Sequence, residues 1–343
     1  MSVGRSTLKE LAAELDVSVA TVSRALGGYK DISLRTRDRV AAKAQEMGYV
    51  PNSAGRMLVS GRSGFVGLVL PIRGPNLVDT FLGEFVTGLG EGLKSHGSDL
   101  FLATVLETQS ELAVLQHVVE SGRADGVILN RIEENDERVH YLQSKRFPFV
   151  SHGRILGEDV DLNWLDTDGA AAFHGAFGML YELGHRRFGV IKTANPMTFS
   201  HYRSEGLVRA IKEKGDPQLE LEEISANRFV AEDIRRVCVE ILTSENRPTA
   251  VLCVLDEIAL VLMEEAARLG ISIPDELSII GFDNLEKSSY VQPGLTTFDQ
   301  NIRSCAREIT DMLMEVIKRR PANGLNKLVV PKLICRASHG PAQ

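Results

Sequence analysis

The chain has 343 residues, more than a single core of roughly 250–300 residues accommodates, so two or three domains are expected. Hydrophobic residues make up 43% and charged residues 25%, which excludes a disordered or fibrous chain. The net charge of −7 argues against a nucleic-acid binder until it is divided: residues 1–62 hold ten Lys/Arg against six Asp/Glu, and the rest hold 29 against 40. A basic head on an acidic body is the composition of a nucleic-acid module fused to something else.

In chain order, Leu8, Leu11, Ala12 and Leu15 mark one face of a first helix. Thr7 and Glu10 are spaced as a capping box. After the break Asp16-Val17-Ser18, Ser18 caps a second helix over 19–26 that stops at Gly27-Gly28. Ser33 caps a third, with Val40, Ala44 and Met47 inside and Gly48 at its end. Two short helices, a tight turn and a third helix are the helix-turn-helix layout, whose second helix faces base edges with its N-terminal residues. Val19 and Ala20 would then meet thymine methyls, and Arg24, one turn on, a guanine edge. The hydroxyls of Thr7, Ser18, Thr21, Ser23, Ser33 and Thr36 suit helix caps and phosphate contacts. The spacing leaves open a generic three-helix module in which Val19 and Val22 are core. Residues 51–63 follow as a short helix and linker, where Asn52 and Ser53 can cap a piece too short to stand alone. It would order on its target.

From residue 64 onward apolar strand-like runs at 65–70, 99–105, 126–130, 147–151, 188–192, 250–255 and 278–282 alternate with helical patterns at 81–95, 111–121, 170–183, 203–214, 231–243 and 257–269. Such alternation predicts parallel sheets with right-handed crossovers, in two lobes for this length. Four scattered cysteines, 238, 253, 305 and 335, read as buried free thiols in a reducing compartment. No apolar run approaches the ~20 residues of a membrane span, and the N-terminus has no apolar signal core, so a cytoplasmic protein without membrane contact is expected. Enzyme motifs are missing. Gly88-x-Gly90-x-Gly92 lies within a helical pattern, and there is no P-loop, nucleophile elbow or paired metal-binding histidine spacing. His185 reads as a helix-end cap. Neither enzymatic activity, a cofactor nor a metal is expected.

The run TLKELAAELDVSVATVSRALGGYKDISLRTRDRVAAKAQEMGYVPNSAGRML resembles the headpiece of the lac repressor/purine repressor family. ADGVILN, ELGHRRFGVI, RSEGLVRAIKEKG, RPTAVLCVLD, IPDELSIIGFDN and PGLTTFDQ look like further landmarks of that family, in the expected order. LGEFVTGLGEGL, FPFVSHGR and TFSHYRSEGLVRA are similar to its alpha-glucoside-type repressors.

The resemblance implies an N-terminal all-α helix-turn-helix headpiece (residues 1–50), a hinge helix and linker (51–63), and a periplasmic-binding-protein-like α/β body (64–343) of two doubly wound parallel-sheet lobes. The lobes map to about 64–163 with 296–323, and 164–295 with 324–343. It implies a transcriptional repressor of sugar-uptake or catabolism genes. Its partners would be double-stranded, pseudo-palindromic operator DNA, a mono- or disaccharide effector, and a second copy in a homodimer or dimer of dimers. A ligand-dependent activator, or a co-repressed regulator answering a non-sugar metabolite, stays open. Asn52, Arg56 and Leu58 become hinge contacts to DNA, with Leu58 wedged in the minor groove beside Met57. Gly55 and Gly27 depart from the family pattern of alanine and asparagine.

Ligands in such folds sit at the carboxyl ends of strands. Those ends nominate Asn130, Arg131, Ser151, His152, Arg154, Thr193, Asn195, Asp256, Asp283 and Asn284. Phe81 opens the helix after the first strand, Arg203 stands where the family clamps its ligand, and Phe229 where it stacks an aromatic. An arginine with carboxylates and amides suits vicinal hydroxyls, and aromatic faces suit sugar C–H surfaces.

Overall fold

Three caps shape the head. In a computed structural model that describes residues 6–27, 29, 31–49, 61–71, 80–106, 108–157, 162–319 and 324–343, Glu10 N donates to Thr7 Oγ1 at 3.2 Å and Thr7 N to Glu10 Oε2 at 2.8 Å. This reciprocal box starts α1 (Leu8–Leu15). Ser18 caps α2 (Val19–Leu26) and Ser33 caps α3 (Leu34–Glu46), each accepting from the amide three residues on. Asp16 takes φ 52° to turn the chain between α1 and α2. Leu11, Ala12, Leu15, Val22, Ala25, Val40 and Ala44 form the core. Val22 belongs to it, whereas Val19 is 40% exposed, so one of the two valines points outward. The hinge residues 52–58, with Asn52, Arg56, Met57 and Leu58, lie outside the described residues.

The chain divides at Gly64/Phe65 into two units, and among the described residues the second carries two large sheets and a two-stranded one. The first is fully parallel, with β1 (Phe65–Pro71) flanked by β2 (Asp99–Val105) and β3 (Gly126–Leu129), followed by β4 (Phe149–His152), β5 (Trp164–Thr167) and β11 (Asn326–Val329). Side chains alternate across a strand. Val66, Leu68 and Leu70 therefore enter one core with α4 (Thr80–Ser95) and α12 (Ile302–Arg319). Val69 enters another with α5 (Glu111–Glu120) and α6 (Glu137–Lys145). The glycine run of α4 is packing: a Cβ at Gly88 or Gly92 would collide with the Arg303 carbonyl or the Thr310 hydroxyl of α12.

The second sheet, β7 (Glu220–Ala226), β6 (Arg187–Thr193), β8 (Ala250–Cys253) and β9 (Ser278–Ile280), is also parallel. It shares a core with α7 (Gly169–Glu182), α8 (Thr198–Lys214), α9 (Ala231–Leu242) and α10 (Asp256–Arg268). Past the short α11 (Lys287–Tyr290), β10 (Thr297–Asp299) pairs antiparallel with β12 (Lys332–Ile334), and Thr296 bridges to Ile280 of β9.

Strand pairing moves the expected lobe boundaries. Residues 164–167 and 326–329 extend the first sheet, while 296–299 sit against the second. The chain therefore changes lobe after each of these strands, because a strand stays with the sheet that completes its ladder. Crossovers fall at β5 to α7, β10 to α12 and β11 to β12, and Asp168 N bonds Val329 O at 2.8 Å between two of them. Cys238, Cys253 and Cys305 are buried free thiols, but Cys335 is exposed. His185 is no helix cap: its ring bonds Thr249 Oγ1 at 2.9 Å and Gly340 O at 3.0 Å, tying down the C-terminal segment. Among the described residues no helix is long and apolar enough to cross a membrane, and none of the His, Cys, Asp and Glu form a group able to hold a metal ion.

Candidate functional site

On the head, Val19, Ala20 and Arg24 lie on the exposed face of α2, and Thr21 and Ser23 are half-buried beside them. The hydroxyls of Thr7, Ser18 and Ser33 each accept from a helix amide, and those of Ser18 and Ser33 also bond the hydroxyls of Thr21 and Thr36 at 2.8 Å. These serines therefore set the helix starts whether or not they meet phosphate.

Between the lobes of the body lies a cleft with about 640 Å³ of unfilled space, the open solvent at its mouth included. Five of the nominated residues line it: Phe81, Arg131, His152, Arg203 and Asp283. Arg203, from the first turns of α8, is 4% exposed. Its Nη1 donates to Val254 O, and its guanidinium lies 3.5 Å from the Phe282 ring centroid and 4.8 Å from that of Phe199. Burial pulls its pKa down to about 10, against the opposing pull of Asp283, Asp166 and Asp256. It stays charged at neutral pH. Asp283, in the loop after β9 with φ 121°, accepts from Gln300 Nε2 at 2.6 Å. Burial pushes its carboxyl up to about 7, against the lowering effect of Arg203. His152 ends β4 between Phe81 and Phe85, at ring-centroid distances of 6.0 and 5.5 Å. Burial, helped by the Arg203 charge, drives its pKa down to about 4, so the ring is neutral. Its buried Nε2 has no hydrogen-bond partner.

The other eight nominated residues, Asn130, Ser151, Arg154, Thr193, Asn195, Phe229, Asp256 and Asn284, do not line the cleft. Asp256 is fully buried and accepts from Thr297 Oγ1, Ser288 Oγ and Leu285 N at 2.6, 2.7 and 2.9 Å. Those bonds consume both carboxylate oxygens in holding the loop that carries Asp283. Arg154 bonds Asp166 at 3.1 Å and lies over the Tyr202 ring at 4.0 Å, behind the wall. Asn130 is buried, with its carbonyl taken by Arg138 at 3.2 Å and its Nδ2 unpartnered. Phe229 carries the Arg228 guanidinium at 5.5 Å, and it is Arg228 that reaches the cleft. Thr193 and Asn195 shape the turn before α8, with Thr193 Oγ1 donating to Asn195 O at 3.1 Å. Asn284 is held by Arg336 and Asp299.

Sequence reading missed Asp166, Arg228, Glu257 and Gln300, all of which line the cleft. Asp166 belongs to β5, a strand too short to stand out. Burial holds its carboxyl above the usual range although Arg154 opposes this. Arg228 pairs with Glu257 at 3.1 Å. Gln300 sits in a crossover, donating to Asp283 and accepting from Thr167 Oγ1 at 2.8 Å. It is the last residue of the PGLTTFDQ landmark, which was the available signal.

Main chain closes one side. Thr198 N and Oγ1 both donate to Ile132 O, at 3.0 and 3.2 Å, and Glu134 N donates to Pro196 O at 2.9 Å. Glu133 and Met197 form an antiparallel bridge. Arg138, paired with Asp136 and Glu111, holds the carbonyls of residues 130 and 131 and so fixes the first-lobe side of this clasp.

Residues 7–52 match the model of bacterial regulatory proteins of the lacI family, and residues 177–339 match that of a periplasmic binding protein-like domain. The HTH-type transcriptional regulator AglR of Rhizobium meliloti (strain 1021) is 34% identical over 98% of this chain and 94% of its own length. The HTH-type transcriptional repressor CytR of Escherichia coli (strain K12) is 29% identical over 97% and 96%. Among solved structures, a complex of the transcriptional regulator CelR with cellobiose superposes with a TM-score of 0.73 at 25% identity, covering 97% of this chain and all of that one. The lac repressor dimer bound to operator and the anti-inducer ONPF has the same fold, with a TM-score of 0.81 at 21% identity over 98% and 99% of the two chains.

Proposed function

Because the chain belongs to the lacI family of bacterial regulatory proteins and is a DNA-binding transcriptional regulator rather than an enzyme, we propose that it represses genes of sugar uptake or catabolism and is released from its operator by a small carbohydrate. Val19, Ala20 and Arg24 read base edges in the major groove, and Thr7, Ser18, Thr21, Ser23 and Ser33 position the head on phosphates. Two heads of a cytoplasmic homodimer engage the half-sites of a pseudo-palindrome, and Asn52, Arg56 and Leu58 complete the contact at the hinge.

One observation carries the effector assignment. A buried, charged guanidinium and a carboxyl converge in the cleft opposite Phe81 and a neutral His152. Polar forks on one side meet hydroxyls, and the aromatic side covers C–H faces. The complex of the similar CelR with cellobiose supports the class of ligand. A sugar that binds one lobe arrangement better than the other shifts the equilibrium by its differential affinity, and operator DNA weakens sugar binding reciprocally.

A thermal-shift screen of mono- and disaccharides tests this, since a ligand at 100 times its Kd stabilises by about 2.7 kcal/mol. A sugar that raises the melting temperature and lowers affinity for operator DNA is expected. A non-sugar metabolite as the one stabilising compound overturns the effector class, and a sugar that tightens operator binding reverses the sign. For the head, Arg24→Ala should cost about 1–3 kcal/mol of operator binding, and unchanged affinity removes Arg24 from the reading surface.

A further inference from the structure

The loop after the recognition helix holds an arrangement built around Arg24. Tyr29 N bonds Arg24 O at 3.1 Å, which brings the Tyr29 ring back over the end of α2. Gly27 makes room for it: a Cβ there would stand 2.9 Å from Tyr29 Cε2 and 3.0 Å from Cδ2. The φ of Gly27 is −77°, open to any residue, so glycine is needed for space and not for twist. The Arg24 guanidinium lies over the Tyr29 ring at 5.4 Å, and its Nη2 pairs with Asp31 Oδ2. Both partners of that pair are about half exposed, so the pair adds little to stability. Its value lies elsewhere. A guanidinium is a rigid planar fork with five donors, and one donor held by Asp31 with one face on Tyr29 still leaves a pair of donors for a guanine edge.

We propose that Asp31 and Tyr29 are positioning residues that aim Arg24, and that they sharpen its preference for one base pair in each half-site. This rests on the reading of Arg24 as a base contact. A mobile arginine at this place satisfies any nearby phosphate, which adds affinity for all sequences alike. An arginine whose fork is already oriented loses less freedom at the matched base and discriminates more. The arrangement also accounts for Gly27, the departure at the end of the recognition helix.

The test is selection of bound duplexes from a randomised pool by the full chain, comparing wild type with Arg24→Ala, Asp31→Asn and the double variant, each first melted to establish folding. Arg24→Ala should reduce discrimination at one base pair per half-site by about five- to hundred-fold. Asp31→Asn should weaken discrimination at that same base pair several-fold and at no other, while affinity for random duplex rises. The double variant should match Arg24→Ala at that position. Tyr29→Leu should behave like Asp31→Asn, and Tyr29→Phe, which keeps the ring, like wild type. If Asp31→Asn does not fold, the two Tyr29 variants decide alone. An unchanged preference in Asp31→Asn or Tyr29→Leu overturns the inference, and so does tightening that is uniform over sequences. If Arg24→Ala itself leaves the preference intact, the base-contact reading fails first.

Discussion

The two walls of the cleft are made differently. The first lobe contributes Phe81, Ile132 and the neutral His152, with Arg131 and with Asp166, held from behind by Arg154, as its charged groups. The second contributes Arg203, Arg228, Glu257 and Asp283. The first wall is built around a shelf of rings, Phe81 and His152, and the second around a fork of four charged groups set beside Phe199, Leu255 and Leu285. Under the proposed function, the contrast assigns most of the polar recognition to the second lobe and the apolar face of the ligand to the rings of the first. The two walls also carry one buried group each, His152 and Asp283, that respond to pH with opposite signs.

The largest blow to the fork is Arg203→Ala. Removing the buried cation that faces Asp283, and with it the donor to Val254 O, should cost about 3 kcal/mol of stability and abolish the thermal shift given by the cognate sugar. Chemical denaturation and the shift assay read the two effects, and a retained shift would break the assignment of polar recognition to this wall. Next, Asp256→Ala leaves three donors unpaired and should cost about 3 kcal/mol. Because Asp256 supports the loop and does not face the cleft, sugar affinity in the folded variant should change far less than with Asp283→Ala, by calorimetric titration. A smaller effect is expected on the shelf. Phe81→Ala should lose about 1–2 kcal/mol of sugar affinity and leave stability nearly unchanged.

The smallest effects sharpen the comparison most. The fold keeps the Asp283 proton up to about pH 7, while its ordinary value is 3.8. Between these values the native state binds the extra proton, so this group's contribution to stability is present at low pH and is lost as pH rises through 7. The native state keeps His152 unprotonated down to about pH 4, against an ordinary 6.5. That contribution is present above 6.5 and is lost as pH falls toward 4. Urea titrations across pH 4–8 should show wild type gaining stability relative to Asp283→Asn on acidification, and losing it relative to His152→Leu. Differences of the same sign would contradict the opposite environments assigned to His152 and Asp283.

Much of this was legible in the sequence because apolar periodicity reports burial directly. Each of the seven apolar runs became a strand or part of one, as with Phe65–Pro71 and Ala250–Cys253. Three helix starts in the head were read from their caps. Elements with weak periodicity escaped. Glu220–Ala226 is an edge strand whose acids face water, and Trp164–Thr167 is four residues long. The second omission concealed Asp166. Asp256 misled for a related reason. A carboxylate at a strand end reads as a ligand contact, and the serine, threonine and amide that consume it lie 29–41 residues away. Arg228 was hidden by its neighbour Phe229, since adjacent residues give no sign of which one turns inward.

The clasp between residues 132–134 and 196–198 is made mainly of amides and carbonyls. Such bonds do not depend on which side chains occupy those positions, provided none is a proline where an amide must donate. The walls can therefore be refitted, residue by residue, to a different ligand without redesigning how the lobes meet. In this body the lining of the cleft and the contact between lobes are separately heritable, and a library that varies Phe81, Arg131, His152 and Arg228 while sparing 132–134 and 196–198 should yield new ligand preferences with an intact lobe contact.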